Sequence, residues 1–188
     1  MNLIAGFNWL DLLIFFLIIM SMAVGYAQGL LRQVIGLAAL YIGAILGAQY
    51  YTVISDAIRH LAFQAGTSRF LNAFSFFVIL IFVSAVINWL AHDAYHSTKL
   101  QLFPLVDQLG GALLGLVTMA VLISLALPVI NFATSEPWAW SETARQLIAT
   151  GFQTSHFLPF FDEFKPLLLG ALRPWLPAGL PSLFDLSR

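Results

Sequence analysis

The charges of this chain stand in narrow groups and leave four long stretches with none. There are 20 residues between Asp11 and Arg32, 23 between Arg32 and Asp56, 23 between Arg69 and Asp93, and 28 between Asp107 and Glu136. A helix needs roughly 20 mainly apolar residues to cross about 30 Å of hydrocarbon, so each stretch has the length of one span. Only 9% of the 188 residues are charged and 60% are hydrophobic, whereas a soluble domain carries about 25% charge. So few charges cannot cover a soluble fold of this size with polar surface, and lipid is the solvent that suits it. The expected fold is therefore all-α: a polytopic membrane protein with four transmembrane helices in a compact bundle.

Spans are expected at about residues 9–28, 30–51, 70–91 and 108–132, which makes residues 1–133 one transmembrane module. The N-terminus has no basic segment ahead of its apolar run, and that run is too long for a cleaved leader. It reads as a retained first span. Spans one and two are joined so closely that they should form a tight hairpin. Residues 52–69 hold Asp56, Arg59 and Arg69 and read as a surface loop with at most a short interfacial helix. Residues 134–188 differ in character. Six prolines interrupt them, and Trp138, Trp140 and Trp175 suit the headgroup layer. Ser141 reads as the N-cap of a helix. The segment 157–172 mixes Phe and Leu with Asp162, Glu163 and Lys165, which favours an in-plane interfacial tail over a fifth span. Pro128 is placed to kink the end of span four.

Within lipid, helices are held by close contact of small residues and by interhelical hydrogen bonds rather than by hiding apolar groups. Gly36, Gly43 and Gly47 share one face of span two with Ala39. Span one ends with Ser21, Gly25 and Gly29 at every fourth residue, and span four opens with Gly111 and Gly115. These stripes are the expected packing seams. Span three has no glycine and several Phe, so it should face lipid more than the others, with Ser84 and Asn88 turned inward.

Ionisable groups at a membrane are costly and are functional candidates by default. Three qualify: Asp11 at the mouth of span one, Arg32 at the start of span two and Asp107 just before span four. Asp11 and Arg32 lie at opposite ends of their hairpin, about 30 Å apart, but Arg32 and Asp107 share a side of the membrane, where they either pair or, with Asp11, simply reside among headgroups. His92 and His96 have the spacing of a zinc-binding helix, yet Asp93 stands where a metalloprotease has Glu and no third ligand is near, so no metal site is expected. Ser155 and His156 are neighbours in sequence, which does not make a triad. No phosphate loop, nucleophile elbow or cofactor motif is found, and an enzyme is not expected. With no cysteine, thiol catalysis, disulfides and thiolate metal sites are excluded. A net charge of −1 without a basic block argues against nucleic acid.

Several short patterns occur in an order that resembles the colicin V production protein family of bacterial inner-membrane proteins. Asn8-Trp9-Leu10-Asp11 starts the first span. Gly25-Tyr26-Ala27-Gln28-Gly29-Leu30-Leu31-Arg32-Gln33 forms the turn, and Asp107-Gln108-Leu109-Gly110-Gly111 through Gly115 opens the fourth span. Ser155-His156-Phe157-Leu158-Pro159 resembles the family's tail segment. Gln28 and Gln108 stand where the family usually carries basic residues. The resemblance implies a role in colicin V production or secretion and in envelope homeostasis. Family members fused to an extracytoplasmic protease imply a C-terminus outside the cytoplasm.

Basic residues favour the cytoplasmic side. Arg32 and Lys99 lie on the hairpin side, while Arg59, Arg69, Arg145, Lys165, Arg173 and Arg188 lie on the other. The count alone places the termini inside. The resemblance and the distance of the tail charges from span four place both termini in the periplasm, which is the expectation adopted. Three functions compete: an inner-membrane accessory protein acting through secretion-protein partners, a small-solute transporter or channel built as a homo-oligomer, and a bare structural anchor. A transporter would route solute past Asp11, Ser84 and Asn88.

Overall fold

The computed structural model describes residues 8–61, 68–92, 104–138, 141–176 and 181–184. The chain is all-helical. The membrane helices are α1 (Trp9–Gln28), α2 (Leu30–Leu61), α3 (Ser68–His92) and α4 (Pro104–Thr134), each long and apolar enough to cross a bilayer. The tail adds α5 (Glu142–Thr154), α6 (Leu158–Leu172) and short 3-10 turns at Arg173–Trp175 and Ser182–Phe184. The histidine pair at 92 and 96, Lys99 and Trp140 lie outside what the described side chains cover.

Gly29 is the whole link between α1 and α2. Its φ of 85° lies in a region that L side chains avoid and glycine enters freely. The two arms then part instead of packing along their length as a tight hairpin: α1 lies against α4, and α2 lies against α3 and α4. Their glycine stripes explain this. A Cβ on Gly25 would stand 2.2 Å from the Gly111 carbonyl oxygen, and one on Gly115 would stand 2.4 Å from the Ser21 carbonyl oxygen. The Ser21 hydroxyl donates to the Gly115 carbonyl at 2.6 Å. On α2, Gly43 faces the backbone of Leu80 and Gly47 faces the Phe76 ring. Gly36 is looser, with only Asn88 Oδ1 near, at 3.9 Å.

Three further expectations need correction. Residues 52–61 are not a loop but continue α2, which at 32 residues is ~48 Å long. No Gly or Pro interrupts them, Asp56 pairs with Arg59 one turn on, and Arg59 and His60 suit the negative end of the helix dipole. Second, α1 rather than α3 is the helix most turned to lipid. Only 22% of its apolar stretch is buried, against 33% for α3. Phe76 of α3 is fully enclosed in the core because Gly47 leaves room for its ring. Third, Trp138 is buried rather than set in the headgroup layer. Its indole N–H donates to the Ala133 carbonyl at 2.9 Å, and its ring meets Phe70 edge-on at 5.1 Å. Trp175 is exposed.

The helix α4 runs through Pro128 to Thr134, and α6 runs through Pro166 with Pro159 in its first turn, a position that proline tolerates. At 15 residues, ~22 Å, α6 is too short to span. It folds back on the bundle, with Leu158, Phe161 and Leu172 buried. Tyr41 Oη donates to the Ala171 carbonyl at 2.6 Å, and Gln49 Nε2 donates to the Trp175 carbonyl at 2.7 Å.

Gly111→Ala should push α1 from α4 and cost about 1–3 kcal/mol, the usual penalty of overpacking. Gly170→Ala, where no atom lies within 4 Å, should change stability by less than about 1 kcal/mol. Unfolding of both variants in one detergent checks this, and equal losses would contradict it.

Candidate functional site

Asp11 is the most unusual residue of the bundle. It lies in the first turn of α1 and is 0% exposed. A buried carboxylate must be fully hydrogen-bonded or it is severely destabilising, and this one is surrounded by donors. Ser155 Oγ donates to Oδ1 at 2.5 Å, and the His156 and Phe157 backbone N–H groups donate to Oδ1 at 3.0 and 3.3 Å. The Asn8 backbone N–H donates to Oδ2 at 3.2 Å, one half of a capping box on α1. His156 Nδ1 stands 3.6 Å from Oδ2, with most of its ring in solvent.

The donors explain why the charge sits there. Residues 155–157 lead into α6, so their N–H groups belong to the positive end of that helix, which holds anions. One carboxylate therefore caps two helices, its own and α6, which begins 147 positions later in the chain. Asn8 completes the junction. Its side-chain amide donates to the Gly151 carbonyl at 2.8 Å and to Thr154 Oγ1 at 2.7 Å, closing the last turn of α5. Trp9 lies on Gly151 so closely that a Cβ there would stand 2.8 Å from the indole. Below, Leu10 and Ile14 pack with Ile123 and Leu127 of α4 and with Leu158 and Phe161 of α6. Residues 8–11 thus clasp the bend between α5 and α6.

Asp107 does similar work at the opposite end of the bundle. Its Oδ1 accepts the Leu30 N–H at 2.8 Å, the first donor of α2, and its carboxylate fills the space beside Gly29. Asp107 therefore ties span four to the hairpin through the α2 backbone, where sequence reasoning looked to Arg32. Arg32 itself is half-buried two residues past Leu30. Ser84 and Asn88 lie in the α2–α3 seam: Ser84 Oγ donates to the Ala39 carbonyl at 3.2 Å, and Asn88 Nδ2 to the Ser84 carbonyl at 2.7 Å. Asp11 belongs to a different seam, so these three residues do not line one path.

Two ion pairs fasten the tail side. Arg69 Nε lies 3.0 Å from Glu136 Oε1, and the Arg69 guanidinium lies over the Phe132 ring. Arg145 donates to the Thr134 carbonyl at 2.9 Å, closing the end of α4, and grips Glu142. The hydrogen bonds from Arg145 hold the Glu142 carboxyl down to about 2, against an ordinary 4.5.

Sequence reasoning singled out Asp11 but missed its partners Asn8, Ser155, His156 and Phe157. The only signal was that Asn8-Trp9-Leu10-Asp11 and Ser155-His156-Phe157 both belong to the family-like patterns. Their meeting needs the folded tail. The family model described as Colicin V production protein covers residues 10–166, which takes in the four membrane helices, α5 and the first half of α6. No curated protein and no solved structure matches.

Asp11→Ala should leave the α6 N–H groups uncapped. Loss of hydrogen bonds to a charged group costs about 1.5–3 kcal/mol, so amide exchange at His156 and Phe157 should quicken about ten-fold or more; unchanged exchange would contradict the capping role. A depressed carboxyl stabilises above its unfolded value and loses that contribution as pH falls. Acidification from pH 4.5 toward 2 should therefore destabilise the native protein more than Glu142→Gln, as thermal unfolding in detergent would read.

Proposed function

Since the chain belongs to the colicin V production protein family and is a multi-pass membrane protein with four spans, we propose that it is an inner-membrane accessory protein. In this reading it supports toxin production and secretion, and envelope homeostasis, through contacts with other membrane or secretion proteins. The Asp11 junction carries the proposal. The buried carboxylate of the bundle is engaged by backbone and hydroxyl donors that dock a tail. Groups occupied in this way serve a scaffold that displays a fixed tail better than a pathway that must bind and release solute. The same organisation makes a bare anchor less apt, because an anchor needs no buried charge to fix a segment that does not span.

We place the docked tail and both termini in the periplasm. Only charges within about 15–20 residues of a span weigh in the positive-inside rule. By that measure Lys165, Arg173 and Arg188 drop out, and the imbalance shrinks to Arg59, Arg69 and Arg145 against Arg32 and Lys99. That difference is too small to set the orientation, so the placement rests on the family, whose members fused to an extracytoplasmic protease carry their C-terminus outside.

The test is complementation. In a colicin V-producing strain lacking this protein, the wild type should restore secreted toxin, and Asp11→Ala should restore several-fold less at equal membrane abundance. Crosslinking in native membranes should recover the same neighbours with wild type and lose them with Asp11→Ala. Solute flux through liposomes of the purified protein, abolished by Asp11→Ala, would instead make it a transporter. An alkaline phosphatase fusion after Arg188 should be active; an inactive fusion would reverse the orientation.

A further inference from the structure

The tail makes two clefts along α4, and both are bordered by one continuous face of α6. The first lies between α4, α5 and α6, encloses about 340 Å³ and is half polar: Asn131, Gln153, Asp162 and Lys165 line it beside Leu127 and Phe152. The second lies between α4, α6 and α2, encloses about 410 Å³ and is apolar, with Val121, Leu125, Leu168 and Leu172 among its walls. Ligand pockets run from about 300 to 1,000 Å³, so each holds part of a molecule. On α6, positions 158, 162, 165, 168 and 172 recur at three- and four-residue steps and so share one face.

Their depths differ in an ordered way. The polar cleft touches α4 at Leu127 and Asn131, near the helix end that leaves the membrane toward the tail. The apolar cleft touches α4 at Val121 and Leu125, six residues or ~9 Å deeper, and reaches Val34 to Tyr41 in the first half of α2. A polar cleft at the surface with an apolar one below it matches the head and chain of an amphiphile standing in a leaflet.

The polar cleft is also selective in charge. Lys165 is 13% exposed and paired with Asp162, one turn away, so the wall presents a cation and an anion together. A headgroup that is only anionic would meet the Asp162 carboxylate. A quaternary ammonium has no N–H to give that carboxylate. A headgroup with both a phosphate and a primary ammonium satisfies both residues, with the amides of Asn131 and Gln153 able to take the remaining donors and acceptors. We propose that the α4–α6 seam binds one phosphatidylethanolamine, its phosphate at Lys165, its ammonium at Asp162, and an acyl chain along Val121, Leu125 and Leu168.

The full-length protein, reconstituted in nanodiscs of equal parts phosphatidylethanolamine, phosphatidylcholine and phosphatidylglycerol, would be released and its retained lipid measured by native mass spectrometry. The wild type should keep about one phosphatidylethanolamine, enriched at least five-fold over either competitor. Lys165→Gln should lower that retention at least five-fold. Asp162→Asn, which leaves Lys165 unneutralised, should turn the preference toward phosphatidylglycerol, a switch that misfolding alone would not produce. Equal retention of the three lipids, a wild-type preference for phosphatidylcholine or phosphatidylglycerol, or an Asp162→Asn protein that still prefers phosphatidylethanolamine would overturn the proposal.

Discussion

Lipid gives helices no reason to hide apolar surface from one another, so this bundle depends on how near two backbones come. Gly25 and Gly111 set that distance for α1 and α4, where a single added methyl would enter the neighbouring carbonyl. Gly43 and Gly47 play the same part for α2 and α3. Such close approach supplies dispersion and a few short polar links such as Ser21 to Gly115, the terms that remain in a bilayer. Once α1 is committed to α4 along its glycine face, the one-residue link at Gly29 obliges α2 to leave α1 and find α3. The opened hairpin and the pairing of the helices follow from those small residues.

Polar groups then secure the ends of the bundle. Each helix leaves several backbone donors and acceptors without partners, and burial makes every one of them costly. Asp107 meets the first donor of α2, Asp11 meets those of α1 and α6, Asn8 closes α5 and Arg145 closes α4. A chain that spends so few charges places several of them at helix termini, where one side chain settles a neighbour's backbone and joins two elements at once. Asp11 reaches farthest, since it fastens a segment that no hydrophobic span would hold. The docked tail in turn creates the clefts along α4.

Much of the fold was legible because charge spacing and span length are local quantities. The ends of α1 were readable to the residue, and the glycine stripes of α1, α2 and α4 pointed to their seams. The misreadings came where local polarity and tertiary need diverge. Polar residues after Tyr51 suggested a loop, yet nothing among them stops a helix, and α2 simply runs on beyond the apolar layer. A Trp beyond a span end suggested the headgroup layer, but Trp138 finds a carbonyl and a ring inside. A Phe-rich α3 suggested lipid, although Gly47 had made a socket for Phe76. At the site, Asp11 stood out as a charge at the edge of lipid. Its partners in the tail are 144 to 146 positions away, and no periodicity reports which loop folds back onto which helix mouth.

The central claim is that the start of α1 holds the bend between α5 and α6 in the membrane-embedded protein. Asn8 and Thr154 touch across that junction, and the chain has no cysteine of its own, so Asn8→Cys with Thr154→Cys gives a background-free reporter in native membranes. A short bifunctional thiol reagent should join the two sites in nearly every molecule. Adding Asp11→Ala should remove most of the crosslink. A protein whose cysteines fail to join while Asp11 is intact would contradict the docked tail and the role given to the buried carboxylate.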